Sequence, residues 1–143
     1  MAFDFAVNSL RAGFFDTKEI KATVDVATRK VLSKFGAFVR TRARSSIRKR
    51  KAISAPGAPP SGHTGALRSF IYFAFDSGSK SVVIGPARYR AGDAPGLLER
   101  GGVTRNTKRD GVKRLVYRPR PFMAPAAAAE LNNLRDLLRG FIN

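Results

Sequence analysis

The sequence predicts an α+β domain, a long N-terminal helix and a C-terminal helix packed on a small antiparallel sheet, on three observations. Apolar residues recur at helical steps from Ile20 to Phe38, two strand-like runs flank a Gly/Ser turn between Phe70 and Pro86, and an alanine run followed by a leucine stripe closes the chain. A length of 143 residues suits one domain, able to bury roughly 68–70% of its unfolded surface. The hydrophobic share of 43% is too high for a disordered chain.

Residues 1–15 form an arm in which Phe3, Phe5 and Val7 alternate with smaller or polar residues, the pattern of a short strand that needs a partner. Asp16 with Glu19 reads as a capping box, and Ile20, Val24, Ala27, Val31, Phe35 and Phe38 then mark the inner face of a helix over residues 16–51. At 1.5 Å per residue it would be roughly 50 Å long. Its second half, "RTRARSSIRKRK", carries Arg40, Arg42, Arg44, Arg48, Lys49, Arg50 and Lys51 with Ile47 as the one large apolar residue, so it is expected to project into solvent or touch a partner. Cations suit the negative end of a helix dipole, but seven together repel one another by more than the dipole returns.

The segment 52–64 is a proline- and glycine-rich loop. Pro56, Pro59 and Pro60 cannot continue the helix, and they make a stiff, exposed connector. Thr64 reads as the N-cap of a short turn over Gly65 to Ser69. Residues 65–119 hold the antiparallel sheet. "FIYFAF", the turn "DSGSK" and "SVVIGP" make a hairpin with two apolar faces, of which one packs on the long helix and the other needs a second cover. Leu97 and Leu98 mark a helical turn ended by Gly101 and Gly102, residues 101–114 read as a mobile basic loop, and "RLVYRP" is a third strand. In residues 120–143, Pro125 opens a helix whose apolar stripe is Leu131, Leu134, Leu138 and Phe141.

Lysine and arginine outnumber aspartate and glutamate by 27 to 10, and a charge of +17 calls for an acidic neighbour: nucleic acid, an anionic membrane or an acidic protein face. The candidate contacts are the seven cations of the helix end together with Arg105, Lys108 and Arg109. The basic half of the helix lacks the apolar face that membrane attachment requires, and no run of about 18 apolar residues is present. The N-terminus has no basic region followed by an apolar core, so the chain reads as cytosolic and unprocessed.

Catalytic chemistry has little to work with. Cysteine is absent and there is one histidine, His63, with no Asp/Ser constellation beside it; it reads as an ordinary loop histidine. The sparse carboxylates assemble no acid–base pair, and "GPARYRAG" lacks the lysine and spacing of a phosphate loop. The expectation is a protein that is not an enzyme and uses no cofactor or metal.

The order of these pieces carries a resemblance. A basic helix, "PGAPPSGHTGALRSFIYF", "SVVIGP", "APGLLERGG" and "RPFMAPA" before a terminal helix is similar to the tail-completion or neck (head–tail joining) proteins of tailed bacteriophages, over about Val24 to Leu138. The matching pieces are Thr64-Gly65 with Leu67-Arg68, Glu99 with Gly101-Gly102, and Arg120-Pro121-Phe122 with Pro125-Ala126. Neither the 105–114 loop nor the N-terminal arm matches. The resemblance implies a virion protein: a ring subunit, hexameric, assembled in the bacterial host cytoplasm. It would sit between a head connector, adaptor or stopper protein and a tail terminator or tail-tube protein, with non-specific DNA contact in the channel. It also implies that Glu99 meets an arginine of the adjacent subunit, or else is a surface glutamate at a helix end. Pro56, Pro59, Pro60, Thr64, Gly65, Arg68, Gly101 and Gly102 would then serve the subunit interface, and Pro121, Phe122 and Pro125 would fix the entry of the last helix with Phe122 as core anchor. The alternative is a nucleic-acid-binding basic domain without sequence preference.

Overall fold

A computed structural model describes residues 17–87, 94–108 and 111–142 of the chain. The N-terminal arm, the Asp16 cap and Arg109 lie outside them. Helix α1 (Thr17–Ser46) is followed by a two-residue strand β1 (Arg48–Lys49), a connector, strand β2 (Ser61–Gly62) and a short helix α2 (Ala66–Ser69). Then come β3 (Ile71–Asp76), β4 (Ser81–Pro86), helix α3 (Ala94–Arg100), β5 (Gly102–Lys108), β6 (Gly111–Tyr117) and helix α4 (Met123–Ile142). The α+β class holds: two long helices with small sheets.

The core follows one line along α1. Val31, Phe35, Val39, Ala43 and the following Ile47 recur every four residues, all buried, and from Phe35 onward they form one cluster with Ile71, Phe122 and Ala126. The expected inner face shares Val31 and Phe35 with this line, but Val24 and Phe38 are exposed. Nor does the second half of the helix project into solvent, because Val39, Ala43 and Ile47 carry the core through the arginine-rich stretch. The helix stops at Ser46, short of Lys51. Ser45 Oγ donates to the Arg42 carbonyl at 2.9 Å and Ser46 Oγ to the Ala43 carbonyl at 2.8 Å, side-chain bonds to the backbone that compete with the helical ladder at its last turn. Ile47 then buries, and Arg48 and Lys49 pair in parallel with Ser61 and Gly62.

Hairpin β3–β4 lies on α1 through Ile71, Phe73 and Phe75, whose cross-strand partners are Pro86, Ile84 and Val82. Gly36 makes this approach close. A Cβ there would stand 2.8 Å from Phe73 Cδ2 and 2.9 Å from Val82 Cγ2. The opposite face, with Tyr72, Ala74 and Val83, is exposed on this chain. In the turn, the Asp76 carboxylate accepts from Gly78 N–H at 2.9 Å and Ser79 Oγ at 2.6 Å, and these bonds hold its pKa below the usual carboxylate value.

Among the described residues the strands form three two-stranded pairs, β1–β2, β3–β4 and β5–β6, and not a single antiparallel sheet. Strand β6 does not join β3–β4; it pairs with β5, register Gly102↔Tyr117 to Lys108↔Gly111, so the expected basic loop is itself a ribbon. The β-branched Val103, Thr104 and Thr107 of β5 and Val112 and Val116 of β6 favour strand even though Arg105, Lys108, Lys113 and Arg114 lie among them. The C-terminal helix also departs from its expected stripe. Phe122, Ala126 and Glu130 are buried and Leu134 packs against the core, while Leu131, Leu138 and Phe141 remain exposed. Among the described residues no helix is long and apolar enough to cross a membrane.

Candidate functional site

The residues expected at a subunit interface divide into those committed inside the chain and those left outside. Glu99 is committed. Its carboxylate accepts from the backbone N–H groups of Phe122 at 2.9 Å, Met123 at 3.1 Å and Ala124 at 2.9 Å, which caps α4 from a distance. A helix start leaves four amides without an intrahelical partner. Three of those amides go to Glu99, and the fourth position is Pro125, which has none. An arginine of a neighbouring subunit is therefore not needed to satisfy Glu99, nor is it simply a surface glutamate at a helix end.

Gly101 ends α3 in the left-handed region at φ +73°, with its N–H donating to the Leu97 carbonyl at 2.8 Å. A Cβ at Gly101 would press on Pro119 and on the Tyr117 carbonyl, each at 3.0 Å, and one at Gly102 would meet Leu97 at 2.9 Å. Both glycines thus set the turn into the ribbon as expected. Phe122 lies in the core at 1% exposure, with Pro121 half-buried and Pro125 exposed.

The proline-rich connector is held along its own chain. Gly57 N–H donates to the Pro119 carbonyl at 2.9 Å, Arg120 Nε donates to the Ser54 carbonyl at 2.8 Å, and Pro60 is buried. Pro56 at the tip is exposed and Pro59 half-buried. The Thr64 hydroxyl accepts from Ala66 N–H at 3.3 Å, while the N-cap position itself is Gly65, left-handed at φ +80°. Arg68 and His63 are exposed.

The cations sort the same way. Arg40 Nε donates to the Ile71 carbonyl at 2.9 Å and its guanidinium stands 6.0 Å from the Tyr72 ring centroid. Arg42 pairs with Glu130, a buried carboxylate that Asn133 also contacts. The Arg42 hydrogen bond, seconded by Asn133, holds Glu130 below the usual carboxylate range against the opposing effect of burial. By contrast Arg48, Lys49, Arg50 and Lys51 are exposed, Arg44 is half-buried, and none of these five has a carboxylate partner among the described residues. On the ribbon, Arg105 sits directly across from Arg114, both exposed. Lys108 closes β5, but its side chain is outside the described residues.

The Arg105–Arg114 pair was not foreseen. Like charges directly opposite on an antiparallel pair destabilise it, and a two-stranded ribbon without a packed face is marginal in water. The same face carries Val103 opposite Val116, the latter 72% exposed. The available signal was the β-branched and aromatic content of "VTRNTK" and "VKRLVY", obscured by charge. Two further openings exist: a groove of about 440 Å³ between α1 and α4, lined by Lys34, Phe38, Asn133, Leu137 and Phe141, and one of about 220 Å³ beside Asp25, Arg29, Phe75 and Lys80. Among the described residues no group of three or more His, Cys, Asp or Glu side chains is placed to hold a metal.

No protein-family model, no curated protein and no solved structure matches this chain.

Proposed function

We propose that the chain is a structural subunit of a tailed-bacteriophage neck, a tail-completion protein that closes into a homo-oligomeric ring between the capsid connector and the tail and lets DNA pass. The motif order that resembles this family motivates the reading. The observation that carries it is the separation of uncovered apolar strips on different elements. Tyr72 and Val83 lie on the outer face of β3–β4, Val103 and Val116 on the ribbon, and Leu131 and Leu138 on α4. Two different patches on one chain suit a heterologous, head-to-tail contact, which closes by rotation. A single self-complementary patch would suit a two-fold dimer instead.

A second reading, a nucleic-acid-binding domain without sequence preference, is favoured by the unpaired cations at Arg48 to Lys51 and by the Arg105–Arg114 pair. The mass of the purified protein, measured by light scattering at several salt concentrations with and without short duplex DNA, separates the two. A ring-sized species without DNA, or a monomer that adds to connector-bearing particles, supports the neck subunit. A monomer that binds duplex tightly at low salt and ignores such particles overturns it.

A further inference from the structure

Where α1 ends, the chain forms an open cleft of about 340 Å³ lined by Ser45, Ser46, Arg48, Arg50, Pro59 and Pro60. We propose that this cleft binds the phosphate backbone of duplex DNA, with Arg48 and Arg50 as the contact residues and Ser61 as the residue that positions Arg50. The inference rests on the neck reading only for the source of the phosphate, the DNA that passes the ring.

The backbone aims the two arginines together. Pairing of Arg48 with Ser61 and Lys49 with Gly62, continued by Arg50 N–H donating to the Gly62 carbonyl at 3.3 Å, keeps residues 48–50 extended. In an extended chain, residues two apart lie on one side, so Arg48 and Arg50 share the cleft and Lys49 faces away. Arg50 Nε donates to Ser61 Oγ at 2.8 Å, which fixes the guanidinium plane and leaves its terminal nitrogens without an acceptor among the described residues.

The two guanidinium groups are little engaged inside the chain. Among the described residues the Arg48 side chain has no hydrogen-bond partner, and that of Arg50 donates to Ser61 Oγ alone. Among the described residues no carboxylate lines the cleft. The described carboxylates are engaged elsewhere: Glu99 and Glu130 within the scaffold, Asp76 in its turn, Asp25 with Lys80 and Asp136 with Arg139.

The lining selects the class of ligand. Two arginines, two serines and prolines offer planar charged donors and no aromatic or large aliphatic side chain. A protein partner would need an apolar anchor for its binding energy, whereas a phosphodiester needs forked donors and positive potential. Contact to phosphate alone carries no sequence information.

The test is a titration of labelled short duplex DNA with the full chain between about 50 and 200 mM salt. Wild type is compared with R48Q/R50Q and with K21Q/K30Q, which removes the same charge from exposed positions on α1. If both arginines meet phosphates, R48Q/R50Q flattens the slope of log affinity against log salt by about 1.8, so the affinity lost over that salt range shrinks by roughly 12-fold. K21Q/K30Q keeps the wild-type slope, and far-UV circular dichroism shows all three chains folded alike. Equal slopes in the two variants overturn the cleft. So does a poly-glutamate peptide that competes as well as duplex of equal charge, which would assign the cleft to an acidic protein. Rings that persist while the slopes are equal remove the cleft and leave the neck subunit standing; slope loss confined to R48Q/R50Q in a chain that never forms rings or joins particles does the reverse.

Discussion

Replacing Glu99 separates a role inside the subunit from a role between subunits. In Glu99→Ala the amides of Phe122, Met123 and Ala124 lose their common acceptor. The Ala124 amide is exposed and takes water in exchange, so its loss is small. The other two are partly buried beside the Phe122 anchor and rehydrate poorly. A hydrogen bond to a charged group contributes about 1.5–3 kcal/mol, and a carboxylate at a helix N-terminus adds about 0.3–1 kcal/mol through the dipole. One carboxylate serves both amides, so the contributions do not add fully, and the expected loss is about 2–4 kcal/mol. For a chain of this length that lowers the melting temperature by roughly 10 °C. Glu99→Gln keeps one acceptor oxygen but turns an NH₂ group toward donors, and should lose about half as much. The assay is urea and thermal unfolding at neutral pH, followed by circular dichroism, alongside light scattering. A Glu99→Ala chain within about 0.5 kcal/mol of wild type refutes the cap, since a change that small is typical of an uninvolved surface site. If that chain melted normally but lost its assembled mass, the carboxylate would belong to a neighbour's arginine instead.

Two further outcomes follow from the packing and the charges. Gly36→Ala places a methyl within 2.9 Å of both Phe73 and Val82; overpacking costs about 1–3 kcal/mol, which the better helix propensity of alanine offsets by at most about 1 kcal/mol. Urea unfolding should show a net loss, partly restored by adding Phe73→Leu. Glu130 has its pKa depressed in the folded state by Arg42 first and Asn133 second, so its contribution is present above the ordinary glutamate range and is lost as pH falls through the folded value. Wild type should therefore lose stability between neutral pH and pH ~3 more steeply than Glu130→Gln, as read from urea midpoints across that range; parallel curves would contradict the pairing.

The parts of the fold that the sequence made legible are those whose signal is local. Thr17–Ser46 and the β3–β4 hairpin announce themselves by periods of 3.6 and 2 within a few residues. The continuation of the core through Val39, Ala43 and Ile47 was hidden because each has at least one arginine beside it, whose long stem tolerates a half-buried helix face while the head stays in water. The stripe on α4 was misplaced for a related reason. Glu130 occupies an inward position because Arg42 pairs with it, and a hydropathy pattern assigns such a residue to the outside. Glu99 lies 23 residues from the first amide it caps, a distance that no local capping rule spans. At the candidate contact surfaces, residue type alone could not separate Arg40 and Arg42, which serve the scaffold, from Arg48 and Arg50, which do not.

Residues 118–122 are where the separate surfaces become one object. Pro119 accepts from the connector at Gly57, Arg120 Nε reaches the connector at Ser54, Arg120 N–H donates to the Leu98 carbonyl of α3 at 2.6 Å, and Phe122 N–H goes to Glu99. This short stretch also receives the chain directly from β6. The base of the ribbon, the connector that walls the Arg48–Arg50 cleft, and the start of α4 are thereby tied together by two backbone–backbone hydrogen bonds and by part-buried bonds from the Arg120 and Glu99 side chains. Backbone bonds and part-buried bonds to backbone groups lose little to salt, in contrast to exposed ion pairs. Salt should therefore weaken what the outward cations bind well before it loosens the frame that carries them. That ordering is what permits a salt titration to report on the surface and not on unfolding.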